Sequence, residues 1–411
     1  MEFESVEQAA KRLQVTTRTV QKWAKDGKIP GASQMGRTWL IPAGFVSPVN
    51  ALRSFDEEAM TVTDGPIASS AEKEAAAMVG MQGNFSMFQA VFAPGKCLEY
   101  VESLPQGAWQ DVAEAQYHYF CGRFSLAAKL AEAYLEDWNL RLALSAGVVY
   151  CFANLGAGKA HLFYAGQEYV KKHVTQALRM SMEPQVQAYA VLILTMSHVL
   201  LHIPCPPMPP LEREIRHLPE GIRCYAAYLM ANEAYLEKDY GRACGIAEMA
   251  LAMCGDTYVI PAIYLHLIYS IALMNRRHIV EAKNQFEKAW QLAREDGFLA
   301  VFGEHTGLLQ GLLEVNLKKQ YPDEYGQILR SAASFGEGWR KVHNAGAKRT
   351  VADQLTAVET AVASLFQRGW AVKEIASYMD ISPRMVRHHI SVVYEKLGIT
   401  HREELAQHLF F

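Results

Sequence analysis

The 411-residue chain lacks an overall excess of basic charge, because 40 Lys and Arg residues stand against 43 Asp and Glu, a net charge of -3. Any nucleic-acid interface must therefore come from local charge rather than from the total. The composition, half hydrophobic and a fifth charged, excludes a disordered or fibrous chain. The length exceeds what one ordinary hydrophobic core needs and predicts two or three domains.

Cysteines at motif spacing and long uninterrupted apolar runs are also missing from the sequence. The seven cysteines are odd in number and contain no C-x-x-C pair, which argues against a disulfide framework or a zinc site. The N-terminal stretch has no basic region leading an apolar one, so we expect no secretory signal. Residues 188–203 are apolar but are interrupted by polar side chains and followed by prolines, which favours a buried helix over a membrane span. These observations predict a cytoplasmic protein with no membrane partner.

The sequence contains no complete catalytic or metal-binding motif. Residues 153–160 come nearest to a phosphate-binding loop but lack its first glycine and the hydroxyl residue that binds magnesium. His198 and His202 are four residues apart, yet no acid completes an H-E-x-x-H pattern, so we interpret them as core or loop-facing residues rather than as metal ligands. No Ser-His-Asp or Cys-His set can be assembled from the sequence. We predict no enzyme activity, no cofactor and no metal.

The middle of the chain has a helical period. From residue 85 to 343, apolar residues recur at spacings of three and four, and Gly or Pro lie mainly between such stretches. Residues 240–251 align with residues 279–290 at an offset of 39, and a further helix pair fits 109–121 with 124–135. Small alanines at matching positions let antiparallel helices approach closely. The proline-rich residues 204–210 should form a loop that divides the array.

This repeated pattern resembles tetratricopeptide repeats, especially the longer repeats of MalT-type regulators. The resemblance is one of pattern rather than of a strict motif, and a plain irregular helical domain is the alternative. If the resemblance holds, the stacked helix pairs offer an extended surface for a small molecule, a peptide or a protein effector.

The clearest signal lies in residues 355–405, where characteristic residues stand at fixed offsets. These residues are Leu355, Thr356, Glu359, Gly369, Lys373, Glu374, Ile375, Ala376, Ile381, Ser382, Val386, Arg387, His389, Lys396, Leu397, Gly398, Arg402, Glu403, Glu404 and Leu405. The segment resembles the LuxR-type (GerE-like) helix-turn-helix over its whole length. In that family the last helix, here expected from Arg402 to Leu409, often supplies a dimer contact.

The helix expected after Ser382 has two distinct faces. Ser382 is a suitable N-cap, and Pro383 fits the first helical position. An apolar stripe for packing is formed by Val386, Ile390, Val393 and Leu397. The other face gathers Arg384, Arg387, His388 and Ser391 and is free to enter a major groove.

The resemblance implies a role for each residue of that face. Positions that read base edges in the family correspond to Arg387, His388 and Ser391, whereas Lys373 and Arg384 suit phosphate. The family usually has Thr where this chain has Met385, which puts one backbone or capping contact in doubt. Residues 355–411 hold six bases and six acids, so non-specific attraction should be weak unless histidines become charged. An inert or protein-binding module is the alternative.

Residues 5–42 contain a second set of characteristic residues, at 6–10, 13, 15, 18–20, 23, 27–30, 36–37 and 39–42. In these residues the segment resembles the MerR/excisionase type of winged helix-turn-helix. Val20, Trp23 and Ala24 should face its core, and Thr16 can cap its second helix. The expected DNA-facing residues are Arg18, Gln21, Lys22 and Lys25 on that helix and Arg37 at the tip of the wing. Residues 1–46 carry seven Lys and Arg against four acids. A purely solvated polar face is the alternative.

The sequence thus predicts a mainly α protein with four segments. They are a winged helix-turn-helix at 1–46, a flexible acidic linker at 47–80, a tetratricopeptide-like α-solenoid at 81–346 and a four-helix LuxR-type DNA-binding domain at 350–411. We expect a transcriptional regulator that binds double-stranded DNA, as a single chain or as a homodimer, with the repeats binding an effector or partner. Two alternatives are an interaction scaffold whose terminal modules dock protein, and a regulator whose N-terminal module is an autoinhibitory brake.

Overall fold

The computed structural model describes residues 3–12, 17–25, 33–35, 38–42, 85–181, 183–206, 208–346 and 355–409. The fold is mainly α, as the sequence predicts. The chain divides into two compact units, Met1–Lys73 and Glu74–Phe411. The predicted linker at 47–80, together with Thr16 and Arg37, lies outside the described residues.

The first unit combines two helices with a small sheet. Its elements are β1 (Phe3–Ser5), α1 (Val6–Arg12), α2 (Thr17–Lys25), β2 (Ser33–Met35) and β3 (Thr38–Pro42). The strands are antiparallel in the order β1-β3-β2. Its core contains Val6, Ala9, Ala10, Val20, Ala24 and Ile41. The expected inward positions of Val20 and Ala24 are therefore confirmed.

The second unit is built from helices throughout the part that the structure describes. Its first half contains α3 (Ser86–Gln89), α4 (Cys97–Ser103), α5 (Ala108–Phe120), α6 (Phe124–Glu132), α7 (Leu140–Gly156), α8 (Ala160–Met180), α9 (Pro184–Leu201) and α10 (Leu211–Glu214). A 3-10 turn, Ile215–His217, leads to α11 (Glu220–Leu236), α12 (Tyr240–Cys254), α13 (Val259–Asn275), α14 (Ile279–Arg294), α15 (Ala300–His305), α16 (Leu312–Asn316) and α17 (Pro322–Gly346). The C-terminal helices are α18 (Ala357–Gln367), α19 (Val372–Met379), α20 (Pro383–Leu397) and, after the turn Arg402–Glu404, α21 (Leu405–His408).

Successive helices pack as hairpins joined by turns of one geometry. Gly122, Gly158, Lys238 and Arg277 each follow a helix with positive φ, between 62° and 74°. In each turn the next residue donates its backbone N–H to a carbonyl five positions earlier, as Asp239 does to Ala234 and His278 to Leu273, both at 2.9–3.0 Å. This is the bonding that a left-handed residue provides at a helix C-terminus. Lys238 and Arg277 are 39 residues apart, which is the offset seen in the sequence.

Alanines allow the hairpins to pack closely, as the repeat pattern predicts. Ala243 and Ala247 on α12, and Ala282 and Ala289 on α14, are fully buried. The hydroxyl of Ser270 on α13 donates to the carbonyl of Ala282 at 2.7 Å, so the two backbones are near contact. The array of helix hairpins is therefore present, while its assignment to the tetratricopeptide class stays a prediction.

The long apolar stretch forms α9, Pro184–Leu201. By length and composition this helix could cross a membrane, and 61% of its residues are buried inside the protein. It packs on α8, α10 and α11. Residues 202–206 and 208–210, which follow it, form no regular helix, in agreement with the expected proline-rich loop.

A disulfide joins Cys224 on α11 to Cys254 at the end of α12. The sequence argument against disulfides, which rested on the odd number and the scatter of the cysteines, is wrong for this pair. The two residues are 30 positions apart and meet because α11 and α12 are antiparallel. Sequence spacing alone does not reveal such a juxtaposition.

Candidate nucleic-acid interface

The helix-turn-helix of the second unit is formed by α19 and α20. Asp380 ends α19 in the left-handed region, with φ of 52°, a conformation that Asp tolerates better than most residues. Ser382 then caps α20, and its hydroxyl accepts the backbone N–H of Met385 at 3.2 Å. Pro383 occupies the first turn of the helix, and Gly398 ends it at φ of 65°. The predicted cap is confirmed, and it is made with Met385 in place of the family's Thr.

Helix α20 has the two faces that the sequence predicts. Val386 and Val393 are buried, and Ile390 and Leu397 are half-buried against the rest of the module. Arg384, Arg387, His388 and Ser391 are exposed on the other side. The Ser391 hydroxyl donates to the backbone carbonyl of Arg387 at 3.1 Å. The structure therefore brings these four predicted contact residues together on one open surface, which we call the recognition face.

Lys373 lies apart from that face, near the beginning of α19. Its side chain is exposed, while its neighbour Glu374 accepts the backbone N–H of Ala371 at 2.7 Å. A cation in the first turn of a helix opposes the helix dipole, so Lys373 is not placed there for helix stability. Its expected role in phosphate contact stays a prediction.

A buried carboxylate on α18, that of Glu359, connects this helix to α20. Glu359 accepts the backbone N–H of Thr356 at 2.8 Å and the ammonium group of Lys396 at 2.7 Å. The Thr356 hydroxyl accepts the N–H of Glu359 in return, which completes a capping box. Burial acts to raise the pKa of Glu359, but the hydrogen bonds from Lys396 and Thr356 outweigh burial and hold this pKa below its ordinary value. The angle of α20 is thus set by an ion pair as well as by apolar packing.

The back of the module packs against the repeat array. Trp370 and Tyr378 are buried there, and they belong to the same hydrophobic core as the repeat helices. Arg277 forms an ion pair with Glu374 at 3.4 Å, and its guanidinium group lies 5.2 Å from the centre of the Trp370 ring. Lys319 forms an ion pair with Asp380 in the helix-turn-helix turn. We call this contact the docking surface.

Sequence reasoning missed the docking surface. Its residue pairs are far apart in the chain, 97 positions in the case of Arg277 and Glu374. The one available signal is that Arg277 occupies a hairpin turn in which Gly is preferred at the left-handed position. Lys238 occupies the corresponding left-handed turn, so this signal does not distinguish Arg277 from it.

Polar side chains of the first unit lie exposed along α2. Arg18, Gln21 and Lys25 are exposed, as the resemblance predicts. Lys22 lies on the same helix, but its side chain is outside the described part of the chain, as is Arg37. Roles for these residues in DNA contact remain predictions.

A cavity of about 430 Å³ lies between the repeat helices and the C-terminal module. Repeat residues such as Tyr228 and Glu304 line one part of it, and Leu355, Thr356 and Thr360 of the C-terminal module line another. We call it the junction cavity. No sequence pattern predicted it, because its walls come from helices that are distant in the chain.

Two family models match this chain. Residues 353–409 match the model of bacterial regulatory proteins of the luxR family, and residues 5–44 match a helix-turn-helix domain. The two terminal modules identified in the sequence are thereby confirmed.

Curated relatives share parts of the chain. The transcriptional regulatory protein UhpA of Escherichia coli is 43% identical over 58 residues, which cover 14% of this chain and 30% of UhpA. The HTH-type transcriptional regulator MalT of Klebsiella pneumoniae is 28% identical over 144 residues, which cover 31% of this chain and 16% of MalT. The chain therefore spans less than a third of either relative. No solved structure matches.

Proposed function

We propose that this chain, with a luxR-family module at residues 353–409 and a second helix-turn-helix module at residues 5–44, is a DNA-binding transcriptional regulator. The observation that carries the proposal is the recognition face, where two arginines, a histidine and a serine are exposed on one side of a helix whose other side is buried. The printed names of UhpA and MalT, both regulators of transcription, support it.

The recognition face reads sequence in this proposal. Arg387 is suited to donate two hydrogen bonds to O6 and N7 of guanine, and His388 and Ser391 lie on the same side of α20 to contact neighbouring base edges. Arg384 in the first turn of α20, and Lys373 on α19, contact phosphate and set the register. The module has little net charge, so base contacts contribute much of its selectivity.

The first unit adds affinity through Arg18, Gln21, Lys22 and Lys25 on α2 and through Arg37. A second module on the same chain makes the binding of the first effectively intramolecular, which raises affinity when both sites can be reached at once. The regulator works in the cytoplasm, catalyses no reaction, and binds its DNA as a single chain or as a homodimer.

Regulation acts through the repeat array in this proposal. The docking surface covers the back of the helix-turn-helix and leaves the recognition face open. An effector or partner that favours one arrangement of the repeats can therefore change the orientation or the spacing of the module on DNA.

Footprinting of fragmented genomic DNA tests the proposal. We expect the wild-type chain to protect discrete sites and the double variant Arg387→Ala, His388→Ala to lose at least about tenfold in affinity for them, since a bidentate base contact contributes about 1–3 kcal/mol. The matched control is Arg179→Ala, His161→Ala, which removes the same residue types from exposed positions on α8. A recognition-face variant that binds genomic DNA as tightly as wild type contradicts direct readout.

Truncation of residues 1–50 separates the proposal from its rivals. Loss of part of the affinity supports two DNA readers, whereas a gain of constitutive activity supports an autoinhibitory N-terminal module. A chain that binds no DNA fragment at low salt, yet retains a protein partner through its repeats, supports the scaffold instead.

A further inference from the structure

The junction cavity contains an acidic side chain that forms no ion pair with any residue the structure describes. Glu304 on α15 lines the cavity, and its carboxyl group accepts hydrogen bonds from the hydroxyls of Tyr119 at 2.7 Å and Tyr264 at 3.0 Å. Within the described part of the chain, no Lys, Arg or His lies at ion-pair distance from it. A half-buried carboxyl group that has two neutral donors and no cation is incompletely compensated when it is ionised.

The groups that surround Glu304 are aromatic and uncharged. Tyr228, which lines the cavity, lies 4.9 Å from Tyr264 and 5.3 Å from Tyr225 between ring centres. The neighbouring His305 interacts with the Tyr228 hydroxyl at 3.0 Å, and burial lowers its pKa to about 4, so it is neutral at pH 7. Tyrosine rings beside a carboxylate attract an organic cation both by charge and by their π faces.

The rest of the cavity is mainly apolar. Phe152, Leu200 and Leu329 contribute to its wall, and its volume of about 430 Å³ falls in the range that accommodates a small organic molecule. The basic groups that line other parts of the cavity are Arg340, His202 and His408. Burial, followed by the charge of His343, lowers the pKa of His202 to about 4, so this ring is also neutral at pH 7.

We propose that the junction cavity binds a small amine with an apolar tail, whose ammonium group pairs with the carboxylate of Glu304 and whose tail contacts the apolar wall. Thr356 and Thr360 come from the C-terminal module, so such a ligand touches the repeats and that module together. The proposed amine site does not rest on the proposed function. Its consequence, a change in DNA affinity, rests on the proposed function.

Binding of the amine is linked to a proton. Burial raises the pKa of Glu304 to about 8, and the hydrogen bonds from Tyr119 and Tyr264 only partly oppose this effect. Below pH 8 the carboxyl group is therefore protonated without ligand, and it must release its proton to pair with an ammonium group. We expect affinity to rise about tenfold per pH unit between pH 6 and 7, and to level off above about pH 8, where the group is already ionised.

Isothermal titration calorimetry on the full chain tests the proposal. The probes are phenethylamine, tryptamine and hexylamine, each compared with the alcohol that has the same tail, and with phenylpropionate as an anion. We expect at least one amine to bind with release of about one proton at pH 6.5, and its alcohol to bind at least about tenfold more weakly. Binding of no amine, equal binding of amine and alcohol, or preferred binding of the anion overturns the proposal.

Two variants assign the binding to the cavity. Glu304→Gln keeps the shape of the protonated acid and should lower amine affinity at least about tenfold and remove its pH dependence. Thr360→Phe fills the cavity from the opposite module and should block binding without altering Glu304. The control Glu168→Gln changes an exposed acid on α8 and should bind as wild type. Unchanged affinity in both cavity variants overturns the proposal.

The effect on DNA is measured separately, by fluorescence anisotropy of a footprinted fragment with and without the amine. A bound amine that leaves DNA affinity unchanged overturns the regulatory part and leaves the ligand site standing. Loss of DNA binding in the recognition-face variant, with amine affinity retained, distinguishes the two functions.

Discussion

The guanidinium group of Arg277 lies 3.4 Å from the carboxylate of Glu374, across a boundary between a repeat hairpin and the helix-turn-helix. Arg277 has a left-handed backbone with φ of 62°, and Glu374 also caps α19 through Ala371. One ion pair therefore connects a hairpin turn of the array to the first turn of a helix in the DNA-binding module. In the proposed regulation, the docking surface is the place where changes in the repeats reach that module.

Loss of the Arg277 side chain should loosen the docking surface. We expect Arg277→Gly to speed hydrogen exchange of the α19 amides by about threefold, because the ion pair and the contact with Trp370 are lost while glycine keeps the left-handed turn. Lys238→Gly is the matched control, since Lys238 occupies the corresponding turn 39 residues earlier and is exposed. Equal exchange in α19 for both variants would show that Arg277 does not hold the module.

Arg384 and Arg387 should differ in what they contribute on DNA. We expect Arg384→Ala to weaken binding to all sequences alike and to reduce the slope of log affinity against log salt by about 1, as loss of one phosphate contact does. Arg387→Ala should instead relax the preference at one base position by about 1–3 kcal/mol. Titrations at four salt concentrations on a footprinted site and its single-base variants measure both effects. Identical behaviour of the two variants contradicts this division.

The ion pair between Lys396 and Glu359 should stabilise the module in a pH-dependent way. Lys396→Met removes the cation and leaves a buried carboxylate, so we expect a loss of about 1–2 kcal/mol at pH 7. Because the folded-state pKa of Glu359 is lowered, its contribution is present above the unfolded pKa of about 4.3 and is lost as pH falls through the folded value. The gap between the wild-type and variant denaturation midpoints should therefore begin to narrow below about pH 4. A gap that does not narrow as the pH is lowered excludes this ion pair as the cause.

Replacement of two glycines by alanine should change the stability of the array in opposite directions. A Cβ on Gly338 of α17 would lie 2.2 Å from the backbone carbonyl oxygen of Leu155 on α7, whereas a Cβ on Gly245 of α12 would meet nothing within 4 Å. We expect Gly338→Ala to destabilise the array by more than about 2 kcal/mol, because helix backbones must move apart. Gly245→Ala should stabilise it by about 0.5–1 kcal/mol through helix propensity. Urea denaturation measures both, and a neutral Gly338→Ala would show that α7 and α17 are not in close contact.

The spacing of residues within a few helical turns was enough to predict the two terminal modules and the helical character of the central part of the chain. A cap such as Ser382, a proline after it and an apolar stripe ending at Leu397 depend on residues within a few turns of one another, so their spacing in the sequence carries the information. The same holds for the offset of 39 between hairpins, whose turn residues share one backbone conformation. The two exposed faces on α2 and α20 followed from this periodicity.

Only the tertiary structure decided how these parts meet. The bond between Cys224 and Cys254, the pairing of Arg277 with Glu374, and the position of Glu304 among Tyr119 and Tyr264 each join residues from separate helices. Helical periodicity states which face of a helix is apolar, but it does not state which other helix will cover that face. The docking surface and the junction cavity therefore arise from packing between distant segments, for which the sequence contains no local signal.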